Sequence, residues 1–274
     1  MIPHPTPWAR GTITYGEPRV MGILNVTPDS FSDGGEHDSL GAALEHAFLM
    51  VDEGADIIDV GGESTRPGHI PVPVGEEIDR VVPVIRELAP SIDVPISVDT
   101  MKAEVARAAI DAGAAMVNDV YGLRGEGMVE LVAETGVPAV IMHLPGTPGS
   151  VHAKDMRGDI VATVKAFLSE RIGATLDAGI KETQIITDPG VGFGKTPFQN
   201  IELVDNAGEF RLGHPTLIGL SRKRFLVDAM PCVDRETASV TMALRAVAAG
   251  ADIIRTHDVG MLAKFLRSPS GKVF

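Results

Sequence analysis

The chain predicts an α/β fold, a single (β/α)8 TIM barrel with its active site at the C-terminal ends of the strands. Three observations carry this. Eight short apolar runs rich in Val, Ile and Leu recur along 274 residues, and none alternates polar with apolar, the pattern of strands buried on both faces, as parallel strands are. Each run is followed by a segment with helical spacing. Each run also stops at a side chain that hydrogen-bonds or ionises, and a barrel gathers the carboxyl ends of its strands around one mouth.

Taken in order, residues 1–19 read as a lead-in, of which 11–19 form either a short hairpin or a plug for the barrel floor; 20–267 form the barrel and 268–274 a short tail. The runs are VMGILN, ADIIDV, PISVD, MVND, AVIMH, IITD, LIGLS and DIIRTH, ending at or near Asn25, Asp59, Asp99, Asn118, His143, Asp188, Ser221 and His257. All eight ends are expected to form one site. The polar, Gly-rich segment 27–38 and the later GGESTRPGHIPVP both exceed the usual two to six residues of a βα connection, which makes them candidate lids. A first helix is expected from about Ser39, as N-cap, to Glu53, with Gly54 as its stop. EEIDRVVPVIRELA supplies the second. MKAEVARAAIDAG, GEGMVELVAETG and VATVKAFLSERIGATLDAG show helical spacing and a Gly after the last turn. AGA or EGA before the second, fourth and eighth runs points to a shared helix-to-strand turn.

Composition narrows the function class. The length suits one barrel domain, and a net charge of −13 speaks against nonspecific nucleic-acid binding, which shows a basic face. No span approaches the roughly 18 apolar residues of a membrane helix, and residues 1–19 lack the apolar core of a secretory signal. Cys232 is the single cysteine, compatible with a reducing compartment. The expectation is a cytoplasmic, soluble protein with neither nucleic-acid nor membrane partners.

The chemistry sits in two sets. Asp99, Asn118 and Asp188 are acceptor-rich, and a flat heterocycle with adjacent N–H donors and a mixed donor–acceptor edge would satisfy them. The alternative, that the two aspartates cap the helices following them, stays open. The second set is cationic: Arg66, Lys223, Arg224, and Arg255 with His257. At a barrel mouth it suits phosphate or carboxylate groups; pairing of Arg255 with Asp188 or Asp59, and a solvent-facing Arg224, are the competing readings. GVGFGK (190–195) matches neither the dinucleotide fingerprint nor the Walker spacing, and reads as a close-approach loop in which Phe193 offers an aromatic face. No HxH or HExxH spacing suggests zinc.

GILNVTPDSFSDGG (22–35) is too long and particular a run for chance. It resembles the signature of the dihydropteroate synthase family of pterin-binding barrels. The other marks follow in order: DVGGESTRPG, SVDT, NDV, MH, DPGVGFGK, SRK and RTHD, together spanning essentially the whole barrel. The resemblance implies a transferase that condenses 6-hydroxymethyl-7,8-dihydropterin pyrophosphate with 4-aminobenzoate to 7,8-dihydropteroate and pyrophosphate. It implies that Asp99, Asn118, Asp188, Lys223 and Met142 hold the pterin, and that Thr65, Arg66, Arg255 and His257 hold the pyrophosphate. Asn25 would bind Mg2+ with the diphosphate. Ser221, Arg66, Pro67, Phe193 and the stem of Lys223 would frame the aminobenzoate, and the loops carrying Phe31, Asp33 and Thr65 would close over both substrates. A homodimer is the family's usual state. Leu144, Pro145 and Leu220 depart from the family's pattern on the aminobenzoate side. Two rivals are a pterin-dependent methyltransferase, which would need no pyrophosphate site, and a catalytically silent pterin binder, which would usually have lost Asn25, Lys223 or Arg255.

Overall fold

A computed structural model describes residues 2–27, 36–64, 71–147, 156 and 158–268. The chain enters through a hairpin, β1 (Thr6–Trp8) and β2 (Gly11–Ile13), paired antiparallel. Then strands and helices alternate: β3 (Arg19–Asn25), α1 (Glu36–Asp52), β4 (Ile57–Gly61), α2 (Val74–Leu88), β5 (Ile96–Asp99), α3 (Ala103–Asp111), β6 (Met116–Asp119) and α4 (Met128–Thr135). The second half runs β7 (Ala139–Met142), α5 (Ile160–Asp177), β8 (Ile185–Asp188), α6 (Pro197–Asp205), β9 (Leu217–Gly219), α7 (Phe225–Ala229), α8 (Arg235–Ala248), β10 (Ile253–Thr256) and α9 (Val259–Arg267). The sheet order is β8-β7-β6-β5-β4-β3-β10-β9, parallel throughout. A parallel bridge between Thr187 and Thr216 draws its two edges together, with the Thr187 amide donating to the Pro215 carbonyl at 2.9 Å. The expected (β/α)8 barrel is present, nearly closed.

Local chemistry explains the element ends. Thr196 and Gln199 form a reciprocal capping box at α6 with Pro197 in the first turn, while Asp159, Asp234 and Asp258 cap α5, α8 and α9. The AGA and EGA turns are one motif used three times. Gly54, Gly113 and Gly250 have φ of 104°, 116° and 102°, and the next amide reaches back: Ala55 to Met50, Ala114 to Ala109, Ala251 to Ala246, at 2.8–2.9 Å. Only glycine takes that left-handed position cheaply. One helix boundary departs from expectation. α1 begins at Glu36, so Ser39 lies inside the helix and is not its N-cap.

Period-2 geometry sorts each strand between two cores. Residues facing the helices (Val20, Ile58, Val98, Val117, Ile141, Ile185, Ile218, Ile254) belong to the large outer core. Their neighbours Met21, Ile57, Met116, Val140, Ile186, Leu217 and Ile253 fill the barrel interior at its amino-terminal end, together with Ile13 and Tyr15 and with Trp8 packed against them. The floor-plug reading of residues 11–19 holds for Ile13 and Tyr15; the hairpin reading is corrected, because the antiparallel pair spans 6–13 and takes only residues 11–13 of that segment. Among the described residues no helix is long and apolar enough to cross a membrane.

Candidate active site

Two residues beyond five of the seven floor positions, the same inward face reaches the rim of the mouth. Ile57 leads to Asp59, Met116 to Asn118, Val140 to Met142, Ile186 to Asp188 and Ile253 to Arg255. Strand register sets these residues side by side: Asn25 opposes Gly61, Gly61 opposes Asp99, Asp99 opposes Asn118, and Met142 opposes Asp188. Gly61 lies against Asp99, where an added Cβ would make ordinary contact at 3.4 Å.

Arg255 is the hub. Its Nε donates to Asp59 Oδ2 and its Nη2 to Asp99 Oδ2, each at 2.6 Å, and Asn118 Nδ2 donates to the same Asp59 oxygen at 2.9 Å. The pairing reading of Arg255 therefore holds, with Asp59 and Asp99 as partners. Asp59 is fully buried, and Asp59 Oδ1 and Asp99 Oδ1 are buried without a hydrogen-bond partner among the described residues. Burial raises the Asp99 pKa against the opposing pull of Arg255, and raises Asp188 to about 6. Neither aspartate caps a helix: Asp188 Oδ1 accepts the Gly190 amide at 2.7 Å, and Lys102 and Thr196 occupy the N-cap positions of α3 and α6.

A second chain of contacts crosses β3, the end of β9 and β10. The His257 ring nitrogen Nδ1 lies 2.9 Å from Ser221 Oγ, its Nε2 lies 3.4 Å from Asn25 Nδ2, and the His257 amide donates to Ser221 Oγ at 3.2 Å. Between Ser221 and Lys223, Arg222 adopts φ 58°. A non-glycine residue in that region is strained by roughly 1–2 kcal/mol. The strain is held by the bond from its amide to Ser239 Oγ (3.1 Å) and by its guanidinium on Glu236 (2.9 Å). Arg224 is exposed, as expected.

The third group surrounds the glycine loop after β8. Lys223 Nζ donates to the Val191 carbonyl at 2.9 Å and stands 4.0 Å from the centre of the Phe193 ring. Burial pulls its pKa down to about 8, partly opposed by Asp188. Lys195, buried, donates to the carbonyls of Gly190 (2.6 Å) and Phe193 (3.0 Å), with that of His143 at 3.5 Å. The loop is thus opposite in polarity to a phosphate-binding loop, aiming carbonyls at ammonium groups. Gly190 and Gly192 hold φ of 69° and 83°; a Cβ at the first would stand 2.0 Å from the His143 carbonyl oxygen. Met142 lies in a buried cluster with Val120 and Leu144, against which Phe193 packs.

One strand end leaves the expected site. His143 follows Met142, so its side chain falls on the outward face, where its ring meets Phe167 of α5 edge-on at 4.9 Å. Burial, with Lys195 and Arg124 nearby, drives its pKa to about 3 and keeps it neutral. The expectations for Phe31, Asp33, Thr65, Arg66 and Pro67 lie outside the described residues. The sequence places Asp59 at the rim and names it as a competing partner of Arg255, which the structure bears out, but assigns it no part in binding; Lys195 is given no role there. Among the described residues no cluster of three or more His, Cys, Asp or Glu could hold a metal ion.

Comparison with known proteins agrees with this geometry. The sequence profile of the family described as pterin binding enzyme matches residues 21–257. A dihydropteroate synthase of Synechocystis is 43% identical over 272 residues, covering 97% of this chain and 94% of the relative. Among solved structures, the Xanthomonas albilineans dihydropteroate synthase with 4-aminobenzoic acid superposes with a TM-score of 0.87 at 47% identity, covering 93% of each chain. The same enzyme in complex with 7,8-dihydropteroate gives a TM-score of 0.84 at 44% identity, covering 94% of this chain and 95% of that one. A barrel whose rim joins acceptor-rich carboxylates to an arginine, two lysines and a histidine, and whose relatives run nearly its full length, belongs to the dihydropteroate synthase family of pterin-binding enzymes.

Proposed function

We propose that this transferase condenses 6-hydroxymethyl-7,8-dihydropterin pyrophosphate with 4-aminobenzoate, releasing pyrophosphate. The observation that carries the reading is the pair of buried, unpartnered carboxylate oxygens on Asp59 and Asp99. A buried acceptor left unmade costs about 1–3 kcal/mol, and a donor-bearing heterocycle removes that cost. Asp99, Asn118, Asp188 and Lys223, with Met142 as an apolar wall, hold the pterin. Asp59 orients Asn118 and Arg255, and so keeps donor and acceptor edges in register.

The diphosphate end falls to Arg255, His257 and Asn25, with Thr65 and Arg66 from the second loop. Arg255 Nη1 has no acceptor among the described residues and is available to a phosphate oxygen, while Nε and Nη2 stay on the carboxylates. Asn25, with its amide nitrogen turned toward His257, leaves a neutral amide oxygen that would help hold Mg2+ beside the diphosphate. Bound there, Mg2+ supplies charge neutralisation on the departing diphosphate. Ser221, Phe193 and the Lys223 stem, with Arg66 and Pro67, frame the aminobenzoate, and the loops of Phe31, Asp33 and Thr65 close over the site.

The reaction breaks the C–O bond at the pterin methylene, with both electrons leaving on the pyrophosphate oxygen. The arylamine nitrogen lone pair then forms the C–N bond, and the nitrogen gives up a proton. Cleavage leads bond formation. The site stabilises both ends as charge separates: carboxylates steady the cationic heterocycle while Arg255 and His257 meet the leaving group. No group of the enzyme bonds to the pterin, so a covalent pterin adduct would contradict this course. The enzyme works in the cytoplasm as a homodimer, a reading supported by its membership of the family.

The test is purified protein with both substrates and Mg2+. Pyrophosphate release that requires aminobenzoate is expected. Release without it, or binding of pterin with no turnover, would replace the synthase by a hydrolase or a silent binder. Sedimentation at micromolar concentration checks the dimer.

A further inference from the structure

Lys195 has no role in the reaction as drawn, yet it is unusual. Its side chain is buried, only 4% exposed, and its three hydrogen-bond acceptors are backbone carbonyls rather than a carboxylate. Placing an ammonium there costs desolvation, so its bonds must hold something that packing alone does not. What they hold is the loop between β8 and α6. The carbonyls of Gly190 and Phe193 turn toward Lys195, and that of Val191 toward Lys223. Two ammonium groups thus divide the carbonyls of one five-residue turn. The turn also has amide anchors, Gly190 on Asp188 (2.7 Å) and Gly192 on Asn200 (2.6 Å). The ring of Phe193 is the loop's one aromatic side chain, and it packs on the cluster of Met142 while facing the Lys223 ammonium.

We propose that Lys195 is a positioning residue for the arylamine half of the site. By clasping the carbonyls on either side of the turn it fixes where the Phe193 ring stands, and so sets affinity for aminobenzoate without touching either substrate. The proposal rests on the assignment of Phe193 to the aminobenzoate pocket. Glycines at 190 and 192 make the loop tight but, with their wide backbone freedom, do not by themselves hold one conformation. The clasp supplies that constraint, and a ring displaced by an ångström loses much of its value in orienting a reactant.

The test is Lys195→Met, which keeps the length and apolar stem but removes every donor. Its aminobenzoate KM is expected to rise about tenfold or more, the factor that matches loss of one charge-assisted clasp, while the KM for dihydropterin pyrophosphate changes less than about twofold. Hydrogen exchange in the segment 189–196 should quicken while that of β5 and β6 stays as in the native protein. Lys195→Gln, whose amide still donates, should fall between the two and serves alone if the methionine variant does not fold. Equal rises in both KM values, or unchanged exchange in the loop, would overturn the proposal. Phe193→Ala is run beside them. If it raises the aminobenzoate KM and the Lys195 variants do not, the clasp is wrong; if it has no effect, the assignment of Phe193 on which both stand is wrong.

Discussion

The two ends of this barrel are built from the same strands and do opposite work. At the floor, Met21, Ile57, Met116, Val140, Ile186, Leu217 and Ile253 make a dry interior sealed by the amino-terminal hairpin. Two residues along, at the mouth, the interior is Asp59, Asn118, Asp188 and Arg255, with polar atoms left unpartnered in the described structure. The floor gains free energy from burial alone. The mouth spends it, holding buried carboxylates against a single guanidinium and two lysines. The same strand backbone serves both ends, and a step of two residues separates stability from binding.

Arg255→Met puts this contrast between mouth and floor under the greatest strain. If the mouth is one connected network, the substitution strands two buried carboxylates, a loss of about 3–5 kcal/mol where one partner of a buried pair is removed. The ratio kcat/KM should fall by about a thousandfold, and dihydropterin affinity, measured by calorimetry, should fall with it because Asp59 and Asp99 lose the group that orients them. Loss of turnover with pterin affinity intact would show separate phosphate and heterocycle ends. At the floor, Leu217→Ala should do the reverse. A cavity in a fully buried position costs about 2–5 kcal/mol and lowers Tm by roughly 5–15 °C, while kcat/KM at 25 °C should stay within about twofold because binding energy resides elsewhere.

How much of this was legible in the sequence follows from the same two-residue step. Strand ends were legible because an apolar run that stops at Asp, Asn or His changes chemistry abruptly, and the family marks fell on those ends. His143 was placed with the others because the run AVIMH ends on it, yet parity with Val140 and Met142 sends it outward to Phe167. Arg255 was legible as a mouth cation; its two carboxylate partners were open, because pairing across β10, β4 and β5 depends on register rather than on spacing along the chain. Lys195 was hidden for another reason. Which way a glycine loop turns its carbonyls is decided by φ values that the letters GVGFGK leave free.

Titration separates the two ends as well: at the floor burial raises the pKa of Tyr15 and keeps its hydroxyl neutral, whereas the mouth and its surroundings hold several shifted carboxylates. Burial raises Asp188 to about 6 and Asp119, outward on β6, to about 7, from an ordinary value of 3.8; Asp99 moves the same way. Between roughly pH 4 and those values the folded chain keeps protons that the unfolded chain has released, so these groups make stability fall as pH rises through that window and leave it level above. His143, lowered to about 3 from 6.5, acts in the opposite sense between those values, and Lys195, lowered to about 7 from 10.5, makes stability rise between them. Asp188→Asn isolates one contribution. Its Tm relative to the native protein should climb by several degrees between pH 4.5 and 7; a constant difference would show Asp188 to be ionised with ease where it stands.

The smallest effect expected is at the seam between two mouth groups. Ser221 Oγ meets both the backbone amide and the Nδ1 of His257, so it fixes the ring whose other nitrogen lies near Asn25. Losing one neutral hydrogen bond is worth about 1 kcal/mol, a factor of roughly five in rate. If Ser221 acts through His257, Ser221→Ala should lower kcat with little change in the aminobenzoate KM, and His257→Ala should leave no further loss for the serine change to add. If Ser221 instead touches the aminobenzoate, as the pocket assignment has it, the KM rises and the two substitutions add. The double-mutant cycle decides between a hydroxyl that aims a histidine and one that meets the substrate.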